Sequence, residues 1–243
     1  MKMKELWIQS ILAGICIGIG GAFFLAIDNK VIGALFFTLG LFTIVTRGFH
    51  LFTGRIGYVF DNPPSYSASL IITWLGNLIG TNLVSLSLTF TRSAAAFQEK
   101  AAGMCDVKLN DSLISVFILG IFCNILMYIA VDGFRNNQHE IGKYIGLFLC
   151  VAGFILAGFE HCIANMFYFG MAQVWSVHTV IWLLAMTAGN IDDSYFGENF
   201  KIETPAQKEE LWYKERYSFH MYYSSFFLYL KLISFSRQSD SRA

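Results

Sequence analysis

The stretch AGFEHCIANMFYFG, residues 157–170, puts a glycine, an acid, an imidazole and an amide inside a run that is otherwise apolar. Gly158 comes first, Glu160 and His161 stand side by side, and Asn165 follows one turn later. Apolar sequence flanks the interruption at 142–158 and again at 162–171. In hydrocarbon, each unsatisfied backbone group costs several kcal/mol, so a polar break is tolerated only where protein or a water-filled cavity covers it. The stretch therefore reads as a membrane helix broken at 158–161, with the break turned inward. An ionisable side chain at that depth marks a functional site by default, and His161 is the central candidate.

Composition agrees with a membrane setting. Of 243 residues, 55% are hydrophobic and 14% charged, against about 25% charged in an ordinary soluble domain. The formal net charge is zero, which gives no reason to expect a nucleic-acid partner. The cysteines (Cys16, Cys105, Cys123, Cys150, Cys162) form no CxxC or other metal spacing, and they read as small buried hydrophobes. The N-terminus, MKMKELWIQS, resembles a signal peptide. The run behind it is about 20 residues, enough to cross a bilayer, so it is read as a retained first helix.

Apolar segments recur at 7–27, 31–46, 69–90, 113–131, 142–158 and 178–191. The second is interrupted at TRGFHLFTGRIG, 46–57, as the fifth is at 158–161. The halves echo each other at an offset of about 110. IGALFF at 32–37 answers IGLFLC at 145–150, Phe49-His50 answers Phe159-Glu160-His161, and Gly76-Asn77 answers Gly189-Asn190. Three crossings repeated once must invert, because an odd number of crossings reverses direction. Interrupted segments at matching places in two inverted halves point to a transport site. Loop charges favour a cytoplasmic N-terminus only slightly: Lys2, Lys4, Arg55, Arg135 and Lys143 on that side, against Lys30, Arg92, Lys100 and Lys108.

Thr53, His161 and Asn190 can each donate or accept a hydrogen bond, and would form one centre if the halves meet there. A charged Glu160 would be costly if dry. It is expected to hold the bend, either accepting backbone N–H groups or pairing with a cation, with Gly54 and Gly158 as the other structural residues of the breaks. Asn165 is expected to serve helix packing. Beyond position 191 the chain changes character, with close to half of its charged residues in 192–243 and a short aromatic stretch containing Lys231. The organisation expected is a membrane domain at 1–191 and an atypical polar and aromatic tail at 192–243.

GFEHCIANMF, LFTG at 51–54, WLGNLIG at 74–80, LGIFCN at 119–124 and TAGN at 187–190 together resemble the formate–nitrite transporter family. The resemblance runs from about residue 8 to Asn190. It implies an all-α membrane protein: six transmembrane helices as an inverted three-helix repeat, aquaporin-like, with the second and fifth helices broken, assembled as a homo-pentamer in the bacterial-type inner or plasma membrane. It carries His161 onto the family's central pore histidine, Thr53 onto the threonine of the second-helix loop, and Asn190 onto the sixth-helix asparagine. Lys108 and Asn124 fall at the pore's outer side, and Phe37, Leu41, Leu51 and Phe154 at apolar constrictions. The chain departs from the family pattern at His50, where several members have glutamate, with Arg55 following, and at Gly170, where many have proline. It departs again after Asn190, where Ile191-Asp192-Asp193 replaces a Gly-rich apolar half-helix, so the sixth helix is expected to be truncated or atypical.

The expected function is passage of small monovalent anions of weak acids, formate or nitrite in type, through an apolar pore. Lys108 and helix ends would draw the anion in. It would gain a proton near His161 and cross as the neutral acid. Histidine suits this because its ordinary pKa, about 6.5, lies near working pH. No cofactor and no metal is implied. A hydrosulfide channel of the same fold is the alternative cargo reading. A member cut short in its sixth helix that no longer conducts is another. An intramembrane enzyme or metal protein could draw on His50, His139, His161, His178, Glu160 and Cys162, but no HExxH or serine–histidine constellation is present.

Overall fold

The computed structural model describes residues 2–192. The tail expected at 192–243 therefore lies almost entirely outside the described residues. Those residues are helical, without strands: α1 (Met3–Ala26), α2 (Lys30–Arg47), α3 (Phe52–Ile56), α4 (Ser65–Thr89), α5 (Ala94–Leu109), α6 (Leu113–Asn136), α7 (Glu140–Ala157), α8 (Cys162–Met171) and α9 (Val177–Asp192). Among them α1, α2, α4, α6 and α7 are long and apolar enough to cross a membrane, and α8 and α9 are shorter apolar helices. The six segments expected from apolarity correspond to α1, α2, α4, α6, α7 and α9.

Local chemistry sets the ends. Asn29 caps α2, its side chain accepting from the amides of Val31 and Ile32, and Ser112 caps α6 through the amide of Ser115. Helix α2 stops at Gly48 with φ 71°, and α7 stops at Gly158 with φ 75°. Both are left-handed C-caps, the conformation glycine enters without a Cβ penalty. A Cβ at either position would meet nothing within 4 Å, so substitution there acts through the backbone alone. Gly48→Ala and Gly158→Ala are each expected to destabilise by about 1–2 kcal/mol, read as a lower thermal midpoint in detergent with unchanged elution volume. Unchanged midpoints would contradict the strain argument.

The long helices cross through small residues. Gly14 of α1 lies against the Asn77 backbone of α4, and Gly80 of α4 against the Ile11 backbone. In the second half Gly120 of α6 meets the Met186 carbonyl, and Gly189 of α9 meets the Phe117 backbone. Lipid is as apolar as leucine, so close backbone packing rather than burial from water drives such crossings. The short helices pack across the repeat: α3 lies against α6 and α9, and α8 against α1 and α4.

Apolarity alone gave no sign of α5. It is rich in alanine and charge and buries little beyond Ala101 and Cys105. It brings two lysines to the rest of the fold. Lys100 Nζ donates to the Leu25 carbonyl at the end of α1 (2.8 Å) and pairs with Asp28 (2.7 Å), holding the Asp28 carboxyl below its usual range. Lys108, about two helix turns further on, reaches the interior.

Candidate functional site

The two breaks are built alike. At the first, Asn77 accepts from the amide of Phe52 (2.9 Å) and donates to the carbonyls of Ser10 (2.7 Å) and His50 (2.9 Å). At the second, Asn190 accepts from the amide of Cys162 (2.9 Å) and donates to the carbonyls of Gly120 (2.8 Å) and Glu160 (2.9 Å). The backbone repeats as well: His50 N–H to Gln9 answers Glu160 N–H to Leu119, and Phe49 N–H to Ile44 answers Phe159 N–H to Phe154. Ser10, Phe52 and His50 stand 110 positions before Gly120, Cys162 and Glu160. Each asparagine thus satisfies one orphan amide at the start of a short helix and two carbonyls beside it.

The breaks face two cavities. The larger, about 360 Å³, is lined by Lys30, Phe37, Lys108, Phe154, Glu160 and His161 among others. The smaller, about 30 Å³, is lined by Leu41, Leu51, Gly54, Arg55, Val131 and Arg135 among others. Helix α2 orders them: Lys30 and Phe37 line the first, Leu41 and Gly48 the second. Helix α7 ends at the first cavity, where Gly158 lies, whereas α2 ends at the second. The two broken stretches therefore enter from opposite mouths, the arrangement an inverted repeat demands.

Between the cavities the halves meet. Thr53 Oγ1 lies 2.8 Å from His161 Nε2. Thr53 is 1% and His161 2% exposed. His161 is also the N-cap of α8, its Nδ1 accepting from the amide of Ala164 (3.0 Å). Nδ1 therefore keeps its lone pair, and the neutral ring carries its hydrogen on Nε2, donated to Thr53. Phe154 stacks on the imidazole at 5.5 Å and 18°, and Phe37 meets Phe154 edge-on at 6.2 Å. Phe37 and Phe154 thus wall the pair on one side; Leu41 and Leu51 lie on the other.

The structure brings together Thr53, His161, Phe37, Phe154, Leu41 and Leu51. It separates two expected members from them. Asn190 spends its amide on the backbone of the second break and makes no centre with Thr53 and His161. Asn124 is fully buried on α6 and lines neither of the two cavities. Glu160 takes the cation option. Lys108 Nζ lies 2.6 Å from its Oε2, with side-chain exposures of 14% and 5%. Asn165 Nδ2 donates to the same oxygen at 2.6 Å, so Asn165 also lines the cavity rather than serving packing alone. Sequence reasoning placed Lys30 only among loop charges; here it stands on the wall of the larger cavity. Asn77 was visible through its match to Asn190, although its task was not. Among the described residues no three of His, Cys, Asp and Glu gather where a metal ion could be held.

Helices broken in pairs, two cavities and a polar pair sealed by aromatic and aliphatic walls define a membrane channel or transporter. Residues 1–192 match the formate/nitrite transporter family, and the chain belongs to it. It is similar to the formate channel FocA of Haemophilus influenzae, 26% identical over 189 residues, covering 69% of this chain and 66% of that one. It is 26% identical to the nitrite transporter NirC of Escherichia coli over 202 residues, covering 76% and 74%. A stretch of 150 residues is 32% identical to the uncharacterized transporter YrhG of Bacillus subtilis, covering 57% and 56%. The chain thus spans just under two thirds of the first relative and a little over half of the last. A solved pentameric formate channel with formate bound superposes with a TM-score of 0.67 at 25% identity, covering 88% of this chain and 97% of that chain. These relatives are channels and transporters, not enzymes.

Proposed function

We propose that the chain passes small monovalent anions of weak acids, formate or nitrite in type, as their neutral acids through the Thr53–His161 junction. The observation that carries this reading is that pair, buried between two cavities and walled by Phe37, Phe154, Leu41 and Leu51. A bare anion crossing such a wall faces a desolvation cost of order 20 kcal/mol by the Born estimate. The neutral acid avoids most of it, so protonation before the wall is the economical route.

The hydrogen bonds of His161 support a particular role. Charging the ring would place a proton on Nδ1 and break the cap on the Ala164 amide. A neutral ring donates to Thr53, whose own hydroxyl hydrogen is then available to a permeating oxygen. His161 acts by orienting that hydroxyl, and solvent in the larger cavity supplies the proton. Lys108 draws the anion towards this cavity, tempered by its pairing with Glu160; Lys30 adds a second positive charge on the wall.

The assembly proposed is a homo-pentamer in a bacterial-type inner membrane, N-terminus cytoplasmic, with exposed apolar side chains such as Ile8, Ile71, Leu86, Ile114 and Leu149 facing lipid or neighbouring copies. Its transport unit is residues 1–191. The small second cavity also suits hydrosulfide, which swelling assays with several anions would separate from formate and nitrite. The central test is formate uptake into proteoliposomes across an external pH series. Uptake is expected to rise with acidity in proportion to the undissociated acid. Protein-dependent uptake that ignores pH would overturn the neutral-acid route.

A further inference from the structure

The wall of the larger cavity is drawn from stretches far apart in the chain. Phe24 and Lys30 stand either side of the turn that joins α1 to α2, and Met104, Val107 and Lys108 come from α5. Lys100 ties these stretches together. Its Nζ donates to the Leu25 carbonyl (2.8 Å) and to Asp28 Oδ1 (2.7 Å), and both acceptors lie between Phe24 and Lys30 in the sequence.

The two bonds differ in weight. Asp28 is 93% exposed, and an ion pair open to water is weakened by solvent and salt. The Leu25 carbonyl belongs to the last turn of α1, where carbonyls lack intrahelical partners and the helix dipole favours a cation. Helix α1 has no basic residue of its own in that turn, so Lys100 supplies the charge from α5. The bond to the carbonyl is the stronger half of the tether.

Little else fixes α5. Its buried residues are Ala101 and Cys105, and Lys108 pairs with Glu160 near its far end. The two lysines are pins about 12 Å apart along the helix, with Met104 and Val107 between them. A segment with few buried contacts opens locally at low cost, so the loss of one pin frees the wall that it carries.

We propose that Lys100 is a positioning residue for anion capture: by fastening α5 to the end of α1 it fixes the cavity wall and holds Lys108 where it draws the anion in. Passage through the Thr53–His161 junction does not depend on it. The inference deepens the proposed function and rests on its anionic cargo.

The test has two arms. In purified full-length protein, iodoacetamide labelling of Cys105, located by peptide mass mapping, reports whether α5 is seated; Cys123 of α6, also buried, is the control. Lys100→Met is expected to speed Cys105 labelling about tenfold and to leave Cys123 unchanged. Lys100→Arg should stay near wild type, and Asp28→Asn should change little because the carbonyl bond remains. In proteoliposomes, Lys100→Met is expected to raise the formate concentration for half-maximal flux several-fold while maximal flux stays within about twofold, the signature of lost binding rather than lost passage. Its half-saturation should also respond less to salt, because the attraction that salt screens is the one Lys108 exerts. Lys100→Gln takes its place if the methionine variant does not fold. Unchanged Cys105 labelling, labelling that rises equally at Cys123, or a half-saturation that does not move overturns the proposal. Wild-type protein without formate flux rejects the transport reading instead; Cys105 exposed by the substitution would still establish the tether.

Discussion

His161→Asn is expected to cut acid-stimulated formate flux about tenfold at every pH, leaving the rise with acidity in place, with the protein still folded. Asparagine is a good N-cap, so the Ala164 amide keeps a partner and α8 keeps its start. What is lost is the fixed donor that sets the Thr53 hydroxyl. One hydrogen bond in a dry site is worth 1.4 kcal/mol if it changes the rate by about tenfold. Thr53→Val, which removes the hydroxyl at nearly constant shape, should cost a similar factor. Because both changes break the same bond, the double variant should lose little more than either single one. Proteoliposome flux at several pH values measures all three. Independent, multiplying losses would show that the two residues do not act as one unit.

The largest expected effect on stability comes from Asn190→Ala, and equally from Asn77→Ala. Each asparagine is fully buried. Truncating Asn190 strands the Cys162 amide and removes donors from the Gly120 and Glu160 carbonyls. A buried group left unmatched costs about 1–3 kcal/mol, so the loss should reach about 3 kcal/mol or more, enough to lower the thermal midpoint sharply or to prevent recovery of intact protein. A midpoint unchanged in both variants would show that these amides do not hold the breaks. Such changes should alter flux only through the amount of folded protein.

Much of this architecture was legible in the order of residues. Polar runs set inside long apolar ones located both interruptions, and glycine at 48 and 158 fits the left-handed turns found there. The repeat was legible because Gly76-Asn77 and Gly189-Asn190 occupy the same place in each half. His161 was legible because an imidazole at that depth demands a reason. The asparagines were read only in part. An amide side chain bonds equally well to a hydroxyl, an imidazole or a backbone carbonyl, and spacing along the chain does not say which is within reach. Asn190 was therefore expected beside His161 and instead fastens the backbone. Helix α5 escaped notice for a different reason: it spans nothing, and it is held by two buried residues and two lysine tethers. The charge that it delivers to Glu160 crosses 52 positions, beyond the range of any local pattern.

Because α3 and α8 each lodge against helices of the opposite half, neither half has a finished lining of its own. Helix α3 is walled by α6 and α9, and α8 is seated against α1 and α4. Continuity from one face of the membrane to the other is a property of the interlocked whole.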